Sequence, residues 1–132
     1  MSRKRRIDPA AGEQALHLWC STLDAAGAPV DRRTLATAVR YSLEELAVRF
    51  EGGSVEVRVP PFGVTQAIDG PAHTRGTPPN TVETSPEVWL QVVTGRLDYG
   101  AAVSENRIEA SGIRSDLSAF LPLFTREGHP RG

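Results

Sequence analysis

The sequence predicts an α+β fold in a single domain. Two segments within the first 50 residues repeat apolar side chains at the three-or-four spacing of a helix. At Val55 the apolar period changes to two, which indicates a strand. A length of 132 residues is typical of one domain with its own core. The predicted order of elements, α, α, β, β, β, α, α, β, α, is typical of the α+β class.

Two helices are predicted before residue 51. Asp8 is the expected cap of the first, which runs from about Pro9 to Ala26. Its apolar stripe is formed by Leu16, Trp19, Cys20 and Leu23. Asp31 is the expected cap of the second, which runs from about Arg32 to Phe50. Its stripe is formed by Leu35, Val39, Leu43, Leu46 and Phe50.

Three strands are predicted in the middle of the chain. The first is Val55–Val59, where valines alternate with polar side chains. The second is Val64–Ile68, with Val64 and Ile68 on the same face, and the short connection favours antiparallel pairing with the first. Thr81–Thr84 is predicted as a short third strand.

The C-terminal third is predicted to be mainly helical. Ser85 is the expected cap of a helix that ends at Gly95, and Asp98 is the expected cap of a shorter one. Arg107–Ser111 is predicted as the last strand. Ser115 is predicted to cap a final short helix that stops before a proline. The apolar face of that helix would be Leu117, Phe120 and Leu121.

Charge is divided unevenly along the chain. Residues 3–6 are all basic; without these four, 11 of the 15 basic residues remain against 16 acidic ones. The acidic body lacks the basic face that duplex nucleic acid requires, so no nucleic-acid partner is predicted. The basic tip could contact nucleic acid or anionic lipid weakly, but a solvated terminus is favoured. We therefore predict a disordered basic tip at 1–8, one domain at 9–124 and a flexible tail at 125–132.

Cysteine and histidine usage excludes several classes of protein. A single cysteine, Cys20, excludes an intrachain disulfide, and its place on an apolar stripe predicts a buried structural thiol. The histidines His17, His73 and His129 have no metal-ligand spacing, so neither a metal nor a cofactor is predicted. No apolar run has the roughly 18 residues of a membrane span, and the first residues lack the long apolar stretch of a secretory signal, so neither is predicted. We expect a cytoplasmic protein.

Polar and aromatic side chains leave several alternatives open. The Gly- and Pro-rich loop from Asp69 to Asn80 holds His73 and Arg75, which could serve as a general base and an anion clamp or could bond the loop's own carbonyls. No nucleophile or paired-carboxylate signature accompanies them, so no enzyme is predicted. Trp19 and Trp89 could stack on a ligand or fill the core.

The segment from Ser85 to Leu123 resembles the C-terminal half of sterol carrier protein (lipid-transfer) domains. Its pattern is an aromatic helix, Gly and Leu, an Ala-rich short helix, a strand with a following Gly, and a final apolar helix. The matching positions are Trp89, Gly95, Leu97, Ala101, Ala102, Ile108, Gly112, Leu117 and Leu121. Over residues 30–124 the chain is most similar to small actinobacterial proteins of this type, although Asn106-Arg107 and the insert at 70–80 depart from the usual pattern.

The resemblance implies a small, mainly antiparallel sheet that helices cover on one face, with an extra N-terminal helix and an apolar pocket between sheet and helices. The implied function is non-catalytic binding or carriage of a lipid or other hydrophobic molecule. We expect His73 and Arg75 at the pocket mouth. The expected lining is Val55, Val57, Val59, Val64, Ile68, Trp89, Val93, Leu97, Ile108, Leu117, Phe120 and Leu121.

Two alternatives remain open. The first is a structural or protein-interaction module, a homodimer or an accessory to a protein partner, with Trp19 and Leu23 in an exposed apolar patch. The second is an isomerase or hydrolase that uses His73.

Overall fold

Four strands form one mixed sheet in the computed structural model, which describes residues 5–25, 27–71 and 79–132. They are β1 (Val55–Val59), β2 (Gly63–Ala67), β3 (Thr81–Thr84) and β4 (Ile108–Ser111). Their order across the sheet is β2-β1-β3-β4. Strands β1 and β2 pair antiparallel, as do β3 and β4, whereas β1 and β3 are parallel. The α+β class and the mainly antiparallel sheet are therefore confirmed.

Four helices complete the described structure, and each begins at the cap that the sequence predicts. They are α1 (Pro9–Asp24), α2 (Arg32–Arg49), α3 (Pro86–Val93) and α4 (Tyr99–Ser104). At every start a side-chain oxygen accepts a hydrogen bond from a backbone N–H three residues later, which satisfies one of the free donors of the first turn. The capping residues are Asp8, Asp31, Ser85 and Asp98.

The helices cover one face of the sheet and leave the other face open. On the covered face Val57 and Val59 are fully buried. Trp89 of α3 is buried as well, and its Nε1 donates to Ser42 Oγ of α2 over 2.9 Å. On the open face Arg58 donates to Glu56, and the side chains are polar except for Val64, which lies opposite Arg58. The core therefore lies between a single sheet face and the helices.

The predicted phase of the second strand is wrong. Val64 is 59% exposed, whereas Thr65 and Ala67 are buried because they lie opposite buried residues of β1. Ile68 is also buried, directly after Ala67, so the strict alternation fails there. The cause is the backbone of Ile68, whose φ of 74° ends the strand and turns its side chain inward.

The predicted final helix is absent; residues 115–123 are irregular, with a single turn at 118–120. Ser115 Oγ donates to the Gly112 carbonyl and does not cap a helix. Asp116 accepts bonds from both the amide and the hydroxyl of Ser118, a local turn that competes with helix formation. Pro122 supplies no N–H to extend one. Leu117 is nevertheless buried, so its apolar role does not depend on the helix.

The C-terminal segment, for which the sequence predicts a flexible tail, is hydrogen-bonded to the body. Arg96 holds it: the guanidinium binds Asp24 through two bonds of 2.8 and 2.9 Å and donates to the Arg126 carbonyl at 2.6 Å. The Arg131 amide donates to the Leu123 carbonyl. Residues 1–4 of the predicted basic tip lie outside the described residues, while residues 5–7 contact α2.

Gly12 sets the distance between α1 and α2. A Cβ atom there would lie 2.6 Å from Tyr41 Cβ, so alanine would force the helices apart. We expect Gly12→Ala to lower the free energy of unfolding by about 1–3 kcal/mol, as overpacking does. Gly27→Ala, which meets no atom within 4 Å, is the control, and urea denaturation is the measurement. If Gly12→Ala and Gly27→Ala lower the free energy of unfolding equally, then Gly12 does not set the distance between α1 and α2.

Arg96 is expected to hold the C-terminal segment against α1. Arg96→Lys keeps the charge but loses the two-pronged geometry, so we expect about 1–2 kcal/mol less stability. Amide exchange in residues 125–131 should accelerate. Arg107→Lys, whose exposed ion pair with Glu105 spans 3.7 Å, is the matched control. Unchanged exchange in Arg96→Lys would show that the segment is held by other contacts.

The contribution of the Arg96–Asp24 ion pair to stability should depend on pH. The hydrogen bond from Arg96 lowers the pKa of the Asp24 carboxyl. A lowered folded-state pKa means that the contribution is complete above the unfolded value of about 3.9 and is lost as the pH falls through the folded value. We therefore expect the stability difference between wild type and Arg96→Lys to shrink below about pH 4, measured by thermal unfolding.

Candidate functional site

Most of the twelve predicted lining residues are packed into the core. Seven of them are at most 2% exposed: Val55, Val57, Val59, Trp89, Val93, Ile108 and Leu117. Ile68 is 7% exposed. Leu97, Phe120 and Leu121 are partly buried against the same core. His73 and Arg75 lie outside the described residues. Whether any of these positions contacts a ligand stays a prediction.

A cleft of about 540 Å³ lies between α2, the edge strand β2 and the N-terminal residues; we call it the α2–β2 cleft. Its volume falls within the roughly 300–1,000 Å³ of typical ligand sites. Val64 is the one residue of the predicted lining that borders it. The full lining is Arg5, Arg6, Ile7, Arg40, Leu43, Glu44, Ala47, Val48, Phe62, Gly63, Val64 and Thr65.

Local sequence explains the apolar floor of this cleft. Leu43 and Ala47 are four residues apart on α2 and so lie on one flank of the helix, beside Val48. Gly63 begins β2, where an added Cβ would lie 3.1 Å from Leu43 Cδ1, so helix and strand approach closely. Phe62 closes the end of the cleft, and the Arg32 guanidinium lies 5.1 Å from its ring centroid.

The N-terminal arm, residues 5–7, forms a charged wall of the cleft. The amides of Arg6 and Ile7 donate to the two carboxylate oxygens of Glu44 over 2.8 and 3.0 Å. Arg5 Nη2 donates to Glu45 over 2.6 Å, and this bond raises the pKa of Arg5. Two adjacent glutamates of α2 thus hold the arm at the side of the cleft.

A second cleft of about 400 Å³ lies beside the C-terminal segment. It is bordered by Leu97 and Leu121, both from the predicted lining, together with Tyr99. Arg126 and Arg131 also border it. The Tyr99 hydroxyl donates to the Ser115 carbonyl over 2.7 Å, which ties α4 to the turn that follows β4.

The described cysteine and histidine side chains, which could take part in chemistry, are packed against other parts of the fold. Cys20 is buried, as predicted, and burial raises the pKa of its thiol. His17 and His129, which are far apart in sequence, stack with ring centroids 5.4 Å apart. Across the described residues, no group of three or more His, Cys, Asp or Glu side chains is arranged to hold a metal ion. None of the described helices is long and apolar enough to cross a membrane.

The α2–β2 cleft contains residues that the sequence analysis did not select. The sequence pattern places Leu43 in the buried stripe of the second helix, Glu44 and Glu45 on its solvated outer face, and the arm in a solvated tip. In the structure Glu45 is buried, and a buried carboxylate needs cationic or N–H partners. Nothing in the sequence indicated that residues 5–7 would supply them.

Comparison with known proteins agrees with the resemblance found in the sequence. A family model described as bacterial SCP ortholog matches residues 31–123, which is more than two thirds of the chain. The match begins at the cap of α2 and ends beside Phe124, so it contains the whole sheet but neither α1 nor the arm. A search of curated proteins finds no match. The chain therefore belongs to the bacterial SCP ortholog family, and its domain is of the sterol carrier type.

Proposed function

We propose that this protein binds and carries a lipid or other hydrophobic ligand without changing it chemically, in the cytoplasm, and that the α2–β2 cleft is the binding site. The observation that carries the proposal is an open cleft of ligand size in which Ile7, Val48 and Val64 keep apolar surface accessible. Family membership supports the same function, because the sterol carrier type implies carriage of hydrophobic molecules. The proposed site lies between sheet and helices, as the resemblance implies, but at the edge of the sheet and not at its centre.

The packing of the core favours a binding site at the edge of the sheet over one at the centre of the core. Side chains such as Val57 and Trp89 are fully buried and already have their contacts, so a ligand gains nothing by displacing them. Apolar surface that faces a cleft still contacts water, and covering it with a ligand yields about 25 cal/mol per Å². Ile7, Val48 and Val64 are the side chains of the lining that keep such surface.

The lining also supports binding without catalysis. Among the described residues that border the α2–β2 cleft there is no histidine, cysteine or serine, and the one hydroxyl is that of the buried Thr65. Its one carboxylate, Glu44, accepts two backbone N–H groups. A nucleophile with an adjacent base, which covalent catalysis needs, is not present in this set.

No specific observation favours the interaction module. Trp19 is buried and so is not part of an exposed patch. Leu18 and Leu23 of α1 are 46% and 47% exposed, but five residues separate them, which places them about 140° apart around the helix. They do not form one continuous apolar face with each other.

Filling the cleft should abolish binding while leaving the fold intact. In Val48→Trp the indole would occupy the floor from a half-buried position, so we expect affinity for dodecanoate and dodecanol to fall at least about tenfold, or 1.4 kcal/mol. Val103→Trp, at a half-buried position of α4 that borders neither cleft described above, is the control. Native mass spectrometry of gently purified protein measures bound lipid, and titration calorimetry measures affinity.

Two results would overturn this function. The first is a wild type that retains no lipid on purification and binds neither probe. The second is equal binding by wild type and Val48→Trp, which would place the ligand elsewhere. Thermal unfolding of each variant shows whether it has kept its fold.

A further inference from the structure

We propose that the α2–β2 cleft selects amphiphiles whose head group carries anionic oxygens, a carboxylate or a phosphate. The head-group site would be formed by Arg5 and Arg6 of the arm together with Arg40 of α2. This inference rests on the proposed function, because it names the ligand class of the same cleft. It also assigns a role to residues that precede the region matched by the family model.

An unsatisfied donor is the first observation. Arg5 Nη1 is buried and has no hydrogen-bond partner among the described residues. The other terminal nitrogen, Nη2, donates to Glu45. A buried donor without a partner costs about 1–3 kcal/mol, so an acceptor oxygen that a small shift of the arm brings within reach gains the bond and removes the cost. A carboxylate or phosphate oxygen gives the strongest such bond to a guanidinium.

The charge of the lining is the second observation. Three arginines and one glutamate border the cleft, a surplus of two positive charges, in a chain whose net charge is −1. Glu44 directs both of its oxygens to arm amides. Among the described residues, no carboxylate lies within ion-pair distance of the Arg6 or Arg40 guanidinium. The Arg5 charge is shared with Glu45, so the charges of Arg6 and Arg40 are the ones available to a ligand.

The arrangement of apolar and cationic groups along α2 is the third observation. Arg40 Nε donates to the Phe62 carbonyl over 2.9 Å, which orients that guanidinium beside the cleft. From Arg40 to Val48 the helix rises about 12 Å, and Leu43 and Ala47 lie between them. Arg40 lies at one end of this flank and Val48 at the other, and Arg5 reaches Glu45 between them. Cationic and apolar groups therefore adjoin along one helix, as an amphiphile with a charged head and a single chain requires.

A neutral lipid is expected to bind less tightly than an anionic amphiphile of the same chain length. Its chain could cover the same apolar floor and its hydroxyl could accept a hydrogen bond, but it carries no counter-charge and would shield the guanidinium groups from water. Removing a charged group from water without a counter-charge is costly. Selection between an anionic amphiphile and its neutral analogue therefore depends on the arginines, while the affinity common to both depends on the apolar floor.

The test compares dodecanoate, dodecyl phosphate and dodecanol, which share one chain, against the full-length protein by calorimetry below the concentration at which they aggregate. We expect both anions to bind wild type at least tenfold more tightly than dodecanol. The tighter of the two anions identifies the head group. Arg5→Lys retains one charge for Glu45 but has no second planar nitrogen, and Arg6→Gln removes an exposed charge. Each change should reduce the ratio of the affinity for the anions to the affinity for dodecanol at least threefold.

Arg107→Gln is the control, because Arg107 is exposed, directly precedes β4 at the opposite edge of the sheet from β2, and does not border the cleft. It should leave the preference unchanged. Equal affinity of wild type for dodecanol and the anions would overturn the head-group site while leaving the proposed function intact. A preference that survives Arg6→Gln and Arg5→Lys unchanged would overturn it as well. Failure of all three probes to bind would instead refute the proposed function.

Arg6→Gln keeps the test decisive if Arg5→Lys does not fold. Its side chain is exposed, and the Arg6 contact with Glu44 is made by the backbone amide, which glutamine retains. Thermal unfolding of each variant checks this directly. The arm is then present in the variant, and only the charge at the cleft has changed.

Discussion

Helix α2 has to bury apolar side chains on more than one side, and the rest of the structure is arranged around that requirement. Leu46 and Val39 are fully buried within it. Helix α1 crosses it at Tyr41, and α3 reaches it through the bond from the Trp89 indole to Ser42. The sheet covers a further side, and β2, its edge strand, lies closest. Beyond β2 the described residues form no further strand, so one flank of the helix stays accessible, and the cleft lies there.

The charges on that flank follow from the same packing. Glu45 is only 6% exposed, and a carboxylate so placed is stable only when cations neutralise it. Arg49, four residues on, supplies one partner at 3.6 Å, and Arg5 supplies the closer one. The arm is therefore held mainly by electrostatics and hydrogen bonds to α2. Its position leaves arginines beside an apolar floor, and this combination is the basis for both proposals.

Local rules predicted the starts of the elements well. A helix cap depends on one side chain and on an amide three residues later, so the local sequence is sufficient to identify it. This holds for the caps at Asp8, Asp31, Ser85 and Asp98. The same logic failed at Ser115, because Asp116 and Ser118 form a turn of their own. It failed for Val64 because the positive φ of Ile68 broke the alternation. Residue type alone contains neither piece of information.

The candidate site was harder to predict than the fold. The valines of β1 were expected to line a ligand pocket, and they are apolar and inward-facing, but so is any core residue. A cleft is a gap between surfaces, and its existence depends on how three separate elements meet. The arm illustrates the point: a run of basic residues is compatible with a solvated end until a buried Glu45 gives one of them a partner.

The sequence by itself determined the α+β class, the helix starts, the strand positions and the resemblance to sterol carrier domains, because these depend on periodicity, capping and motif order within short segments. Only the tertiary structure decided which valines pack and which face a cleft, that α2 lies beside a sheet edge, and that the arm and the C-terminal segment fold back onto the helices. Those outcomes depend on contacts between residues 30 to 110 positions apart, such as Arg5 with Glu45 and His17 with the carbonyl of Glu127. Whether two such groups meet is decided by the packing of every element between them.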